Sequence, residues 1–597
     1  MDYHRDTATL STHPGQAALP PPSPSSTTAH AATSDTLPTA HAPRPNLESL
    51  PPRRIVPVAP PRTRAGRMTH VTTPVDADAL DALLVGYPLR DYVVGGFRGG
   101  FLLGYEGART PLFSRNPPAT TALSHIVGPM LDKELSLGRI AGPFEVPPFE
   151  NFKCSPIALR EKSTPGKYRL LHNLSYPYTS ESVNANIPRE TTTVTYQSIN
   201  DAVALVVRRS PGAYLAKCDI AEAFRIVPVN PSDYHLLGFA YGGRYYYEKM
   251  LSMGAAPSCR IFETFSDALQ WILAEKFGVQ DVLKVLDDFL FVSCTYNACL
   301  RSLRVFTALC EHLGVPLAPH KTEGPRPCLT FLGLEIDARR METRLPDDKR
   351  TKYMAAVEDA LRAESLPLRD LQGIIGKLQF ATSVIPGGRA FLRRLHPLTI
   401  GVQRPSHLCL LDAEAKLDLR AWHTFLGAFN GITVFPPDGG WGSSTALAMC
   451  ADASSKGYGL TIGVTWFRGT WPMDWSRLNI ALLELYPFYM GISIFATVLA
   501  NKRLVCRSDN AAVENVLQSL SARCPLLMQL VRPLAILLLT HNIKLLPSHL
   551  PGKLNGVCDA LSRSQVLPPS FLRDAGLAEK PTAIPQHFLP CNFTLNL

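Results

Sequence analysis

The stretch from Val282 to Ser293, VLKVLDDFLFVS, constrains this chain more than any other. Two adjacent carboxylates, Asp287 and Asp288, stand between two short apolar runs. Each run is rich in Val, Leu and Phe, which suits a short strand. The pattern predicts a β-hairpin with the acidic pair at its tip. Two readings stay open here. Asp is a common turn residue, so the pair can be a solvated turn. Neighbouring carboxylates also hold divalent cations for phosphoryl chemistry, and that reading needs a third carboxylate from elsewhere in the chain.

With 597 residues, the chain has room for three or four domains, and a hydrophobic content of 46% supports large cores. A net charge of +10 leans toward a polyanionic partner without deciding it. The 13 cysteines are scattered, with no C-x-x-C pair and no Cys/His cluster of zinc spacing. They read as reduced intracellular thiols. The first residues lack an apolar h-region, so the expected location is intracellular, cytoplasmic and/or nuclear, and not secreted. Ile480 to Ala500 imitates a membrane span with a single charge, Glu484. Pro487 and the α/β pattern of its flanks favour a helix buried inside a domain, so no membrane partner is expected.

Composition divides the chain into an α+β multidomain protein. Residues 1–66 form a Pro/Ser/Thr-rich region expected to be disordered. Arg53, Arg54, Arg62, Arg64 and Arg67 at its end are either a nucleic-acid contact, a targeting signal or a solvated basic linker. Residues 67–118 read as an N-terminal extension of short helices and Gly-rich turns. Strands and helices mix over 119–345, helices dominate 346–435, an α/β pattern fills 440–565, and 566–597 read as a loose tail.

The missing third carboxylate is at hand in AYLAKCDIAEAFRIVPV, where Asp219 ends an apolar strand. Alone it reads equally as a helix cap; beside the acidic pair it could complete a site for two metal ions. Upstream, SPIALREKSTPGKYRLLHNLSYP puts Lys162 and Arg169 on two strands joined by a Pro-Gly turn, where cations could clamp a triphosphate. LSMGAAPSCRIF offers a small-residue loop for close backbone approach, and LGVPLAPHKT places Lys321 after a turn. A second acidic set follows. Asp452 lies in ALAMCADASSKGYGLTIG, Glu484 in the apolar helix, Asp509 after RLVCRS, and Asp559 in PSHLPGKLNGVCDALSR. Each could be a cap or a surface acid; four acids in the order D, E, D, D against one sheet suggest a site.

In this order and spacing the first set resembles the fingers and palm of a reverse transcriptase. The phrases GPFEVPPF, KYRLLHNLSYP, LDDFLF and VIPGGRAFLRRL resemble the DIRS-like, tyrosine-recombinase group of retrotransposons more than retroviruses. The second set resembles a ribonuclease H, including H-x-P-G-x-x-N-x-x-x-D from His549 to Asp559. The resemblance covers roughly residues 75–565. It implies fingers and palm over 119–345, a helical thumb or connection over 346–435, and a ribonuclease H-like domain over 440–565.

The resemblance also implies roles. Asp219 and Asp287 would be the principal metal ligands and Asp288 a supporting one, with Mg2+ or Mn2+ as cofactor, two ions per active site. Lys162 and Arg169 would touch the incoming triphosphate. Phe224 would be an aromatic gate sensing the sugar 2′ position, against a plain core reading of the same ring. Met253 and Gly254 would flank the nucleotide, and Lys321 would sit near the leaving pyrophosphate. Asp452, Glu484, Asp509 and Asp559 would hold two metals for RNA cleavage, with His549 aiding product release or proton transfer. Partners would be an RNA template, a DNA primer, RNA/DNA hybrid, dNTPs and a separately encoded recombinase. Val285 and Met253 depart from common relatives, which carry Tyr or Phe and, in retroviruses, Gln at those places. The rival readings are a catalytically silent nucleic-acid-binding relic and a DNA-templated polymerase.

Overall fold

A computed structural model describes residues 71–161, 166–209, 211–433, 447–565 and 567–592. The region at 1–66, its arginine cluster and Lys162 lie outside the described residues.

Ile157–Glu161 (β1) and Tyr168–His172 (β2) pair as an antiparallel hairpin. There follow Tyr214–Asp219 (β3), Ser258–Glu275 (α1), Val282–Val285 (β4), Asp288–Ser293 (β5), Tyr296–Leu313 (α2) and Glu323–Arg326 (β6). The last four strands of that series form one antiparallel sheet in the order β6-β3-β5-β4. Side chains alternate across it. Phe289 and Phe291 bury against α1 and α2, while Leu290 and Val292 bury on the other side with Val206 and Ile336. A strand covered on both faces reads as an unbroken apolar run, which is why FLFV shows no polar alternation. The predicted hairpin is present, with Leu286 and Asp287 as its two-residue turn.

Helices Ala77–Leu83 and Arg90–Gly99 share the α1 core, with the Phe97 ring 4.7 Å from that of Phe265. Through these two helices the described part of the extension, from residue 71, shares the core of this domain. A second, five-stranded sheet, which includes Gly238–Tyr241 and Arg244–Glu248, stands beside the β1/β2 hairpin.

Asp347–Arg362 (α3), Leu368–Ala381 (α4) and Ala413–Ala428 (α5) make up the helical segment. The α/β unit then runs Ala448–Ala453 (β7), Gly457–Ile462 (β8), Thr465–Thr470 (β9), Ile480–Ile494 (α6), Arg503–Ser508 (β10), Ala511–Ser519 (α7), Pro525–Thr540 (α8), Lys544–His549 (β11) and Gly556–Ser562 (α9). Its sheet order is β9-β8-β7-β10-β11, with β7, β10 and β11 parallel. One continuous core joins the helical segment to this unit, including Leu378, Trp422, Met449, Leu485 and Leu534.

The apolar stretch at 480–500 is not one rod. α6 ends at Ile494 and a separate turn, Ala496–Leu499, follows. Among the described residues no helix is long and apolar enough to cross a membrane. Of the expected loose tail, the described residues from 567 to 582 instead lie on the sheet edge. Pro569–Asp574 (α10) brings Leu572 and Leu577 onto Trp466, and Ala578 and Thr582 donate to the carbonyls of Val464 and Trp466 at 2.8 and 2.9 Å.

Candidate active sites

The first acidic set meets at one end of the β3/β5/β4 sheet. Asp219 closes β3 and Asp288 opens β5, and the two are direct partners in the antiparallel register. Asp287 sits beside them in the turn, where its carbonyl accepts the Ile220 N–H at 2.9 Å. Asp219 is buried, and its own carbonyl accepts the Ala318 N–H at 2.9 Å, tying down the segment that leads to Lys321. The Lys321 ammonium lies 2.7 Å from Asp219 Oδ2.

Crowding shows in the acidities. Burial, then the charges of Asp287 and Asp219, push Asp288 up to about 6. Asp287 is also raised, first by burial and next in part by Asp219, while Lys321 and Arg169 pull it down. Arg169, on β2, therefore lies within electrostatic reach of the acidic turn. Burial works against the Lys321 charge, but the Asp219 hydrogen bond and all three carboxylates override it and raise its pKa.

Three further expected residues have defined surroundings. Phe224 is half-buried in the short turn Ala223–Ile226, its ring edge-on to Phe262 at 5.7 Å. Met253 is exposed on the 251–256 loop. Gly254 is dictated by space: a Cβ there would stand 1.7 Å from the His172 carbonyl oxygen. Asn184, which the sequence reading passed over, holds this loop from both sides. Its Nδ2 donates to the Gly254 carbonyl at 2.8 Å and its Oδ1 accepts the Ala256 N–H at 2.9 Å. Its place in NANIP carries no local signal for that role.

The second set also converges. Asp452 is on β7, Glu484 on α6, Asp509 directly after β10 and Asp559 on α9. Burial, with the charges of Asp509 and Asp559 adding to it, raises Asp452 to about 6. Burial raises Glu484 to about 7; Asn510 opposes this, and Asp509 and Asp452 add to it. Asp559 is engaged by Arg563 at 2.8 Å. Gly459 lets α9 reach the sheet, because a Cβ there would meet Leu561 Cβ at 2.4 Å. Within the His549–Asp559 motif the buried Asn555 donates to the Ala451 carbonyl at 3.2 Å, locking the loop beside Asp452. His549 ends β11 and is exposed. Ser508, whose Oγ lies 3.5 Å from Glu484 Oε2, and Asn510 were not singled out by the sequence.

Among the described residues no group of three or more His, Cys, Asp or Glu side chains is placed so that it could hold a metal ion. The donor chemistry nonetheless fits hard divalent cations: both sets supply carboxylate oxygens only, brought close enough to raise one another's pKa.

Three carboxylates at one sheet end, faced by Lys321 and Arg169, form a site suited to cations and phosphate. Residues 160–336, which hold this whole set, match the family model for reverse transcriptase (RNA-dependent DNA polymerase), so this stretch is a reverse transcriptase domain. Protein P of duck hepatitis B virus (strain China) is 28% identical over 205 residues, covering 33% of this chain and 25% of that protein. Protein P of the United States strain is 29% identical over 187 residues, covering 30% of this chain and 21% of its own length. Two solved structures are similar. The foamy viral protease-reverse transcriptase in complex with RNA/DNA hybrid has a TM-score of 0.47 and 15% identity, covering 74% of this chain and 56% of that one. The dRH form in complex with double-stranded DNA has a TM-score of 0.46 and 16% identity, covering 82% and 84%.

Proposed function

We propose that the chain is an RNA-directed DNA polymerase joined to a ribonuclease H, acting on an RNA template, a DNA primer and dNTPs. The observation that carries this reading is the register pairing of Asp219 with Asp288, with Asp287 in the adjoining turn, inside a reverse transcriptase domain. Asp219, Asp287 and Asp288 would hold Mg2+ or Mn2+. Bound there, the cations supply positive charge against the attacking primer 3′-oxygen and the leaving pyrophosphate. Arg169 orients the triphosphate, with Lys162 expected to join it, and Lys321 stands where it can neutralise or protonate the departing phosphate. The Phe224 ring excludes a 2′-hydroxyl, and the 251–256 loop with Met253 and Gly254 lets backbone approach the nucleotide. Asp452, Glu484, Asp509 and Asp559 would hold the cations that serve water attack on the RNA strand of a hybrid. His549, exposed at the end of β11, would aid product release or proton transfer. The phrases GPFEVPPF and VIPGGRAFLRRL support an origin in a DIRS-like retrotransposon whose recombinase is separately encoded. With a net charge of +10, duplex binding should weaken as salt rises.

Primer extension on an RNA template tests the first site. Wild type should incorporate dNTPs, and Asp287→Asn should lower the rate by about 10³-fold or more, the scale of losing a main electrostatic contributor. Equal incorporation by both proteins would leave the silent nucleic-acid-binding relic. Asp452→Asn should abolish cleavage of RNA in a hybrid and leave extension intact; loss of both together would argue against two separate sites.

A further inference from the structure

The turn that presents Asp287 is strained and is gripped by α1. Leu286, its first residue, has φ of 52°, a left-handed conformation costly for a branched side chain. Both of its main-chain polar groups are taken by α1 side chains. Its N–H donates to Glu263 Oε2 at 2.8 Å, and its carbonyl accepts the Ser266 hydroxyl at 2.7 Å. Glu263 is buried, and its other oxygen receives the Lys284 ammonium at 2.7 Å. Lys284, on β4, is 2% exposed and also reaches Asp267 at 2.5 Å. Glu263, Ser266 and Asp267 are three and four residues apart and so share one helix face.

This arrangement is expensive if stability is its only purpose. Buried ion pairs are often matched or bettered by apolar side chains of the same volume. Here, though, one carboxylate does two things at once: it neutralises the buried ammonium and fixes the amide next to Asp287. Among the described residues none of these three α1 side chains hydrogen-bonds or ion-pairs with Asp219, Asp287 or Asp288, so the grip is on the backbone of the turn.

We infer that Glu263, anchored by Lys284 and assisted by Ser266, is a positioning residue that holds the Leu286–Asp287 turn in the conformation that aims the Asp287 carboxylate at the reaction centre. The inference rests on the polymerase reading above.

The test uses the full chain with a poly-rA template, an oligo-dT primer, dTTP and titrated Mg2+. Glu263→Ala and Ser266→Ala should each lower kcat, by about 10- to 100-fold for Glu263→Ala and less for Ser266→Ala, and raise the Mg2+ concentration for half-maximal rate. KM for dTTP and affinity for the primer–template should stay near wild type, because no contact to either is lost. Glu263→Gln combined with Lys284→Met restores an acceptor for the Leu286 N–H without a buried charge, and should recover most of the lost kcat. Thermal unfolding of each variant accompanies the kinetics. Wild-type kcat and Mg2+ dependence in both Glu263→Ala and Ser266→Ala would overturn the inference. So would losses that follow only the unfolded fraction. An inactive wild type, or one no faster than Asp287→Asn, would sink the polymerase reading and the inference with it; an active wild type with indifferent Glu263 and Ser266 variants sinks the inference alone.

Discussion

His172 shows how one buried side chain makes stability depend on pH. It ends β2, its Nε2 donating to the Gly238 carbonyl at 3.0 Å, and burial lowers its pKa from 6.5 to about 4. Its Nδ1 lies 4.0 Å from Glu248, but this is no ion pair, since Arg225 takes the Glu248 carboxylate and the imidazole stays neutral. The folded state therefore resists a proton that the unfolded chain accepts below pH 6.5. Stability from this residue is full above that pH and lost as pH falls toward 4, in total about 3 kcal/mol. Glu248 works the other way, because burial raises it despite Arg225. His172→Gln keeps a donor for Gly238 but cannot titrate. Urea unfolding at pH 7, 6 and 5 should therefore show a shallower loss for the variant than for wild type, and identical slopes would refute the assignment. The acidic pair at 287–288 was legible from its neighbours in sequence. Asn184, Glu263 and Lys284 were not, because Asn184 and Glu263 hold main-chain groups, and Lys284 a side chain, that only the fold brings near.

At the level of elements, the strand β9 is an edge that the chain covers itself. Trp466 gives its indole N–H to the Ala578 carbonyl at 2.8 Å, and Leu572 and Leu577 close over the ring. An exposed edge invites pairing with another chain, so this strap guards solubility as well as stability. Leu572→Ala should cost about 2–4 kcal/mol by opening a cavity under α10, read as a drop in the unfolding temperature. Wild-type stability in the variant would show that the strap is not bound. The several prolines suggested a loose tail because they interrupt any periodicity; its anchors Leu572 and Leu577 gain meaning only opposite Trp466. The helix α6 is the converse case, since an apolar run with one acid is ambiguous until its neighbours show that it is covered by protein.

Across the whole molecule, the helical segment and the α/β unit are joined by charge as well as by a shared core. Asp418 on α5 is fully buried and meets Arg394 at 3.0 Å and Arg532 of α8 at 3.5 Å. Burial raises its pKa, and Arg532 and Arg394 pull it back. Removing one partner of a buried network strands the others, so Asp418→Ala should cost about 3–5 kcal/mol. Calorimetry of the full chain should show the transition of this region lowered or split in the variant; an unchanged transition would mean the segments do not depend on each other. The boundary read at 435–440 lies outside the described residues, and described residues on either side of it share one core.

The local sequence sufficed for the hairpin, for both sets of acids and for their order, because strand periodicity, turn chemistry and clustered carboxylates are written in neighbouring residues. The tertiary structure alone decided which acids share a register, how the strained Leu286 is held, that Gly254 and Gly459 are spaces left for other backbone, and that the last strap and the helical segment belong to the C-terminal core. Those depend on contacts between residues far apart in the chain, where burial and close approach choose among side chains that look interchangeable in sequence.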